Sequence, residues 1–271
     1  MSITASQVNE LRTKTGVGLM DCKNVLVETN GDVEAAIKKL REKGLAKAAK
    51  KSDRSTTEGK VFVQASADNT SAVILELNCE TDFVGSNEIF AQCGKEIAIA
   101  ILENKVETLE DLDNIKIDNV NFSDFISNYI VKLGENIGVK KFQYISNQGF
   151  VETYLHLNGK IGVLAAFNQT LSNDVSKGIA MHIAAANPTY LASENVDETE
   201  LNNEKEIIRA QSLKEGKPEA ILDKIVEGRI SKYYKEICLL EQAYIKDDKQ
   251  TIKQILPKDT QVSTFIRFAI D

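Results

Sequence analysis

The 271-residue chain has only two histidines, His156 and His182, far apart in sequence. A zinc site or a histidine-based catalytic triad therefore has little to draw on. The four cysteines, Cys22, Cys79, Cys93 and Cys238, are scattered and form no Cys-x-x-Cys pair. Reduced thiols in a cytoplasmic protein are the simplest account. There is no P-loop pattern and no Rossmann glycine fingerprint, so no nucleotide site of the chain's own is expected. No apolar stretch approaches the ~20 residues of a membrane span. Met1-Ser2-Ile3-Thr4-Ala5 shows no basic region followed by an apolar core, so no secretory signal is expected. A basic excess is also missing: the formal charge of -7 argues against a general DNA or RNA binder.

What is present suits a globular protein of two or three compact units, with 42% hydrophobic and 27% charged residues. The most informative stretch is Asn78-Cys79-Glu80-Thr81-Asp82-Phe83-Val84. The apolar run Ala72 to Leu77 leads into it and reads as a buried strand. Ser86-Asn87-Glu88 opens a helical pattern after it, with Ser86 as the expected cap. An acid and a phenylalanine thus sit on a loop where a strand hands over to a helix, a place suited to recognition. The competing reading makes Phe83 a core residue and Asp82 a turn residue.

Three short helices are expected before this stretch. They run from Ala5 to Thr13, from Leu19 to Thr29, and from a cap at Asp32 to a stop at Gly44. Leu45 to Thr57 then turns polar and reads as a linker. After it comes a weak repeat. Val61 to Ala65, a turn at Asp68-Asn69, Ala72 to Leu77 and a helix Asn87 to Leu102 make one copy. Val151 to Leu157, an Asn158-Gly159 turn, Ile161 to Phe167 and a helix Asn173 to Ala186 make the other. A helix Ser123 to Leu133 and a strand Val139 to Ile145 lie between them. The second copy has Asn168-Gln169-Thr170-Leu171 where the first has Asp82 and Phe83, so the repeat itself does not demand those two residues. Glu194 to Lys214 and Glu219 to Tyr234 flank Gly216-Lys217-Pro218 and read as an antiparallel helical hairpin. Asp248 to Leu256 reads as a helix and Val262 to Ile270 as a final strand. His182 is expected to pack within its helix.

Leu77 to Val84 resembles the signature of the elongation factor Ts family. So do Leu11-Arg12 with Thr15-Gly16, Gly18 and Met20-Asp21-Cys22-Lys23, and Asn30-Gly31-Asp32-Val33-Glu34 with Ala36-Ile37. Tyr154-Leu155-His156, Ile161-Gly162-Val163-Leu164, Ile179 to Ala185, Ile225 to Arg229, Leu239 to Gln242 and Phe265-Ile266-Arg267-Phe268 extend the likeness over nearly the whole chain. The resemblance implies an α+β fold. Its parts are a ubiquitin-associated-like module with linker at 1–54, a duplicated core at 55–147 and at 148–190 with 237–271, and a coiled-coil insertion at 191–236.

It also implies a guanine nucleotide exchange factor for elongation factor Tu, which performs no covalent chemistry. GDP, GTP and magnesium are then held by the partner, and the chain needs no cofactor or metal. Thr81, Asp82, Phe83 and Val84 are the implied exchange loop. Arg12, Leu19 and Met20 are the implied contacts of the first module, with Leu19 and Met20 equally readable as core. His156 is implied in the second copy, beside a Leu157 to Lys160 stretch that is often glycine-rich with arginine in the family. A homodimer or a heterotetramer with the partner fits the resemblance. Some members continue with a further helix that touches the partner, a contact expected to be missing after Asp271. An enzyme using Glu80 and Asp82 as a carboxylate pair has no accompanying nucleophile. A pure adaptor would bind a GTPase and leave its GDP release unchanged.

Overall fold

The computed structural model describes residues 3–146 and 148–270, with Lys47 described by its backbone alone. Thr4 starts the first helix, α1 (Ala5–Thr15), by a reciprocal cap. Its hydroxyl accepts from the Gln7 amide and its own amide donates to Gln7 Oε1. Gly16 at φ +68° ends that helix. Next comes α2 (Leu19–Glu28), and then α3 (Val33–Ala49), capped by Asp32 through the Ala35 amide. Val8, Leu11, Cys22, Val25, Leu26, Ala36 and Leu40 close a small core among the three. The stop expected at Gly44 does not occur. Gly44 is buried, and a Cβ there would lie 3.1 Å from Val131 Cγ2. The bare backbone lets α3 lie close against a later helix. That packing outweighs the ~1 kcal/mol that glycine costs inside a helix.

Strands β1 (Glu58–Ala65) and β2 (Ala72–Cys79) form an antiparallel hairpin. Asp68 accepts from the Thr70 amide and Asn69 takes φ +54° in its turn. A one-turn helix, α4 (Asp82–Gly85), precedes α5 (Glu88–Asn104). The cap of α5 is Asn87, whose side chain accepts from the Ile89 amide. Ser86, expected in that role, closes α4 instead. A minimal pair, β3 (Lys116–Ile117) and β4 (Val120–Asn121), leads into α6 (Phe122–Leu133). Then β5 (Ile137–Ile145) pairs with the free edge of β2, giving the order β1-β2-β5.

The second copy repeats the plan with β6 (Phe150–His156), β7 (Ile161–Phe167) and α7 (Asn173–Ala186). Its hairpin tip is wider than an Asn-Gly turn, because Leu157, Asn158 and Gly159 all take positive φ. Helices α8 (Glu198–Lys214) and α9 (Leu222–Ile237) run antiparallel over Ile208, Leu222 and Ile230, with Arg209–Asp223 at 2.8 Å and Arg229–Glu215 at 3.0 Å across them. At their base, the hydroxyls of Tyr190 and Tyr233 both donate to Glu200. The helix expected over Asp248 to Leu256 is a strand in its first half and a single helical turn in its second. β8 (Ala243–Tyr244) pairs with β9 (Asp247–Thr251), and only α10 (Ile252–Ile255) is helical. Residues 247 to 251 carry no apolar side chain to make a buried helical stripe, and strand pairing satisfies their backbone instead. β10 (Val262–Ala269) completes the order β10-β7-β6.

Alternation along the strands builds four layers. Phe62, Val73, Leu75 and Leu77 face α5 and α6, while Val163, Ala165 and Phe167 face Ile179 and Ile183 of α7. Between the sheets, Val61, Ala72 and Ile74 meet Val151, Leu164, Ala166 and Phe268. A Cβ on Gly162 would sit 2.4 Å from Val61 Cγ1. Gly162→Ala should therefore destabilise the chain by about 1–3 kcal/mol, read as a lower urea midpoint.

His182 is buried in α7. Its Nδ1 accepts from the Ile245 amide at 3.3 Å, so Nε2 carries the proton toward Gln242 Oε1 at 2.9 Å. Burial holds its pKa below the ordinary 6.5, partly opposed by the Gln242 bond. The folded state thus binds fewer protons than the unfolded one below that value. Stability from this group is complete above about pH 6.5 and is lost as pH falls below it. Urea unfolding at pH 7.5 and 5.5 should show a smaller drop for His182→Gln than for the natural chain.

Candidate functional site

The buried strand β2 delivers the chain to the site. All eight of its residues are buried, down to Asn78 and Cys79. Asn78 Nδ2 donates to the Thr56 carbonyl, 3.3 Å away. The Cys79 thiol donates to the Thr81 carbonyl at 3.1 Å. Burial, aided by the negative charge of Glu135, pushes that thiol up to about 12, so it stays protonated as a small core group.

Thr81 is the N-cap of α4, its Oγ1 accepting from the Val84 amide at 3.4 Å. A helical turn then divides the four residues by direction. Val84 and Gly85 turn back into the core, while Asp82 and Phe83 face solvent. Phe83 is 85% exposed, the most exposed large apolar side chain among the described residues. The Asp82 carboxylate has no hydrogen-bond or ion-pair partner among the described residues. The core reading of Phe83 is thereby excluded, and Val84 takes the core place instead. The stretch expected as a loop is a short helix that presents two free groups side by side.

The turn before α4 is tied to the turn between α6 and β5. Glu135 Oε2 accepts from the amides of Glu80 and Thr81 at 3.1 and 3.0 Å, and Oε1 accepts the Thr81 hydroxyl at 2.6 Å. In return, Glu80 Oε1 accepts from the Asn136 amide at 2.7 Å. Asn136 Nδ2 reaches the carbonyls of Ser52 and Arg54 at 3.2 and 2.9 Å, which brings in the segment before β1. Sequence reasoning missed Glu135 and Asn136. The only local signal is a polar pair after the helix-stopping Gly134, and nothing in it points to residues 80 and 81.

The other expected contacts are separate from this helix. Arg12 is exposed on α1, with Leu19 44% and Met20 61% exposed across the glycine turn that starts α2. Neither apolar residue serves the small three-helix core, so the core reading of both is excluded. His156 is exposed at the tip of β6, its Nδ1 2.9 Å from the Tyr154 hydroxyl and its ring stacked on that phenol. Exposed Leu155 and Leu157 flank it. No hydrogen bond or ion pair joins the three segments among the described residues.

A family model described as Elongation factor TS matches residues 80–271. Curated relatives agree along the chain. Elongation factor Ts of Clostridium perfringens (strain SM101 / Type A) is 45% identical over 98% of this chain and 92% of its own length. That of Clostridium novyi (strain NT) is 44% identical over the same shares. The chain belongs to the elongation factor Ts family. As a member of the elongation factor Ts family it acts in the elongation step of protein biosynthesis. The matched range begins at Glu80, so it includes Thr81 to Val84 and His156, while Arg12, Leu19 and Met20 lie before it. Among the described residues no helix is long and apolar enough to cross a membrane.

Thr81→Ala removes a cap and a charge-assisted hydrogen bond and should cost about 1–2 kcal/mol of stability. Phe83→Ala should change stability by no more than about 0.5 kcal/mol, because the ring is not part of the core. Urea unfolding of the two variants side by side checks the contrast.

Proposed function

We propose that this elongation factor Ts family chain binds elongation factor Tu carrying GDP and promotes GDP release, so that GTP can rebind. The observation that carries the reading is Phe83, an aromatic ring held out in water on a helix whose other side is anchored in the core. In this reading Phe83 inserts as an apolar wedge between partner helices beside the magnesium and phosphate site. Asp82, free of partners among the described residues, hydrogen-bonds the groups displaced there. Thr81 and Val84 hold the turn from behind. Arg12, Leu19 and Met20 supply a second contact and His156 a third.

The physics needs no covalent step and no cofactor of the chain's own. Burying the phenylalanine ring in the partner releases about 2 kcal/mol toward a rearranged nucleotide site. Magnesium demands near-ideal octahedral geometry, so a small displacement weakens the ion and the diphosphate together. Linkage then makes the effect reciprocal. If the chain weakens GDP binding by some factor, GDP weakens binding of the chain by the same factor.

The finer fold reading goes with this function. The first three helices form a ubiquitin-associated-like module that grips the partner, the two sheets are the two halves of a duplicated core, and α8–α9 is a coiled-coil insertion. The chain would act in the cytoplasm, where the partner works, as a homodimer or in a heterotetramer with it.

Release of a fluorescent GDP from elongation factor Tu, in magnesium buffer, tests the proposal. The chain should accelerate release strongly, and Phe83→Ala should reduce the acceleration roughly thirty-fold, the rate equivalent of about 2 kcal/mol. Binding without any change in release rate would sink the exchange reading and leave an adaptor.

A further inference from the structure

We propose that Glu135 is a positioning residue for exchange: it fixes the direction in which α4 presents Phe83. This inference rests on the exchange reading above, in that Phe83 is the group whose position matters.

A four-residue helix cannot hold itself. Helix nucleation is unfavourable, and one turn gains almost nothing from propagation. The strand ladder of β2 stops at Cys79, paired with Glu58 on one side and Ile137 on the other. The amides of Glu80 and Thr81 lie beyond that ladder, and both go to a single carboxylate oxygen, Glu135 Oε2. The other oxygen decides the orientation of the cap. Thr81 has one hydroxyl proton and donates it to Glu135 Oε1 at 2.6 Å. That leaves the oxygen's lone pairs for the Val84 amide, the bond that starts α4. Glu135 therefore acts on the helix through Thr81, one bond removed.

The support behind it is reciprocal. The neighbouring residue, Asn136, returns a bond from its amide to Glu80 and ties its side chain to the carbonyls of Ser52 and Arg54. Lys51 Nζ also reaches the Gly134 carbonyl. Three segments distant in sequence thus meet at the half-buried Glu135 and Asn136. None of these hydrogen bonds involves Phe83 itself. Loss of Glu135 should leave Phe83 present and exposed but no longer aimed.

Two readouts separate positioning from general stability. The first is GDP release from elongation factor Tu at saturating concentrations of the full chain. Glu135→Ala should lower the saturated release rate about ten-fold. Glu135→Gln keeps an oxygen that accepts the two amides, and its NH2 can donate to Thr81 Oγ1 in a reversed bond that still leaves a lone pair for the Val84 amide. It should therefore recover to within about three-fold of the natural chain. Glu135→Asp keeps the charge but loses reach, and should behave like the alanine variant. In a Phe83→Ala background, Glu135→Asp and Glu135→Ala should cause no further loss, because their effect runs through the ring.

The second readout needs no partner. The chain has no tryptophan, so Phe83→Trp introduces a single reporter. Its fluorescence anisotropy should show faster local motion when Glu135→Asp is added. Equal losses with and without the Phe83 ring would overturn the proposal. So would a reporter that stays equally rigid in the aspartate variant. If the natural chain fails to accelerate GDP release at all, the exchange reading falls, while the anisotropy measurement still decides whether Glu135 fixes the ring.

Discussion

Strand β2 must hide every side chain it carries. It is the middle strand of its sheet, with α5 and α6 on one face and the second sheet on the other. Only an almost wholly apolar sequence tolerates that position, and Ala72 to Leu77 supplies one, interrupted by Glu76. Glu76 is kept there by Lys140 and Lys141, each 3.2 Å from its carboxylate. Burying the apolar side chains of this strand, at about 1.5–3 kcal/mol each, fixes where the strand ends. The chain therefore leaves the core at Glu80 along one path. Val84 and Gly85 are back inside within a single turn, and the residues on the outer arc of that turn have no choice but solvent. The exposure of Phe83 follows from the burial of its neighbours.

The two copies of the hairpin-plus-helix plan show how differently one junction can be used. In the second copy, Asn168 exchanges hydrogen bonds with the Asp259 carbonyl and the Gln261 amide, and Gln169 Nε2 donates to Thr260 Oγ1 at 2.6 Å. Leu171 is buried. That junction uses the side chains of Asn168 and Gln169, themselves exposed, to hold the segment before β10, and only Leu171 goes into the core. The first copy gives the corresponding task of holding to backbone amides and to Glu135. Its side chains at 82 and 83 are left free. A shared fold thus carries one structural junction and one that is open to recognition.

Much of this was legible in the residues. The bounds of α7 follow from its apolar spacing, and the strand and helix of each copy from period and turn residues. The failures have a common cause, because each depends on a distant partner. Gly44 reads as a helix stop until Val131 is seen beside it. Polar residues 248 to 251 read as helix until Ala243 and Tyr244 supply a strand to pair with. At the site, the types of Asp82 and Phe83 were evident, but their exposure was not, because a phenylalanine after a strand is more often core. Leu19 and Met20 had the same ambiguity. Glu135 left no trace at all, since an acid after a helix-ending glycine is among the most ordinary of surface patterns.

The helical arm offers a last consequence. The amides of Thr189 and Tyr190 both donate to the Ile237 carbonyl, at 2.8 and 3.0 Å. The chain thus departs for α8 and returns from α9 at one point. From the viewpoint of the sheets, everything between is a closed excursion of arbitrary length, and closing a longer loop costs only a logarithm more. The arm also buries few apolar side chains, chiefly Ile208, Leu222 and Ile230. It is a lever with a single pivot, in which two tyrosine hydroxyls share the carboxylate of Glu200. Such a part can fray, bend or change length between relatives while the strands beneath it keep their register.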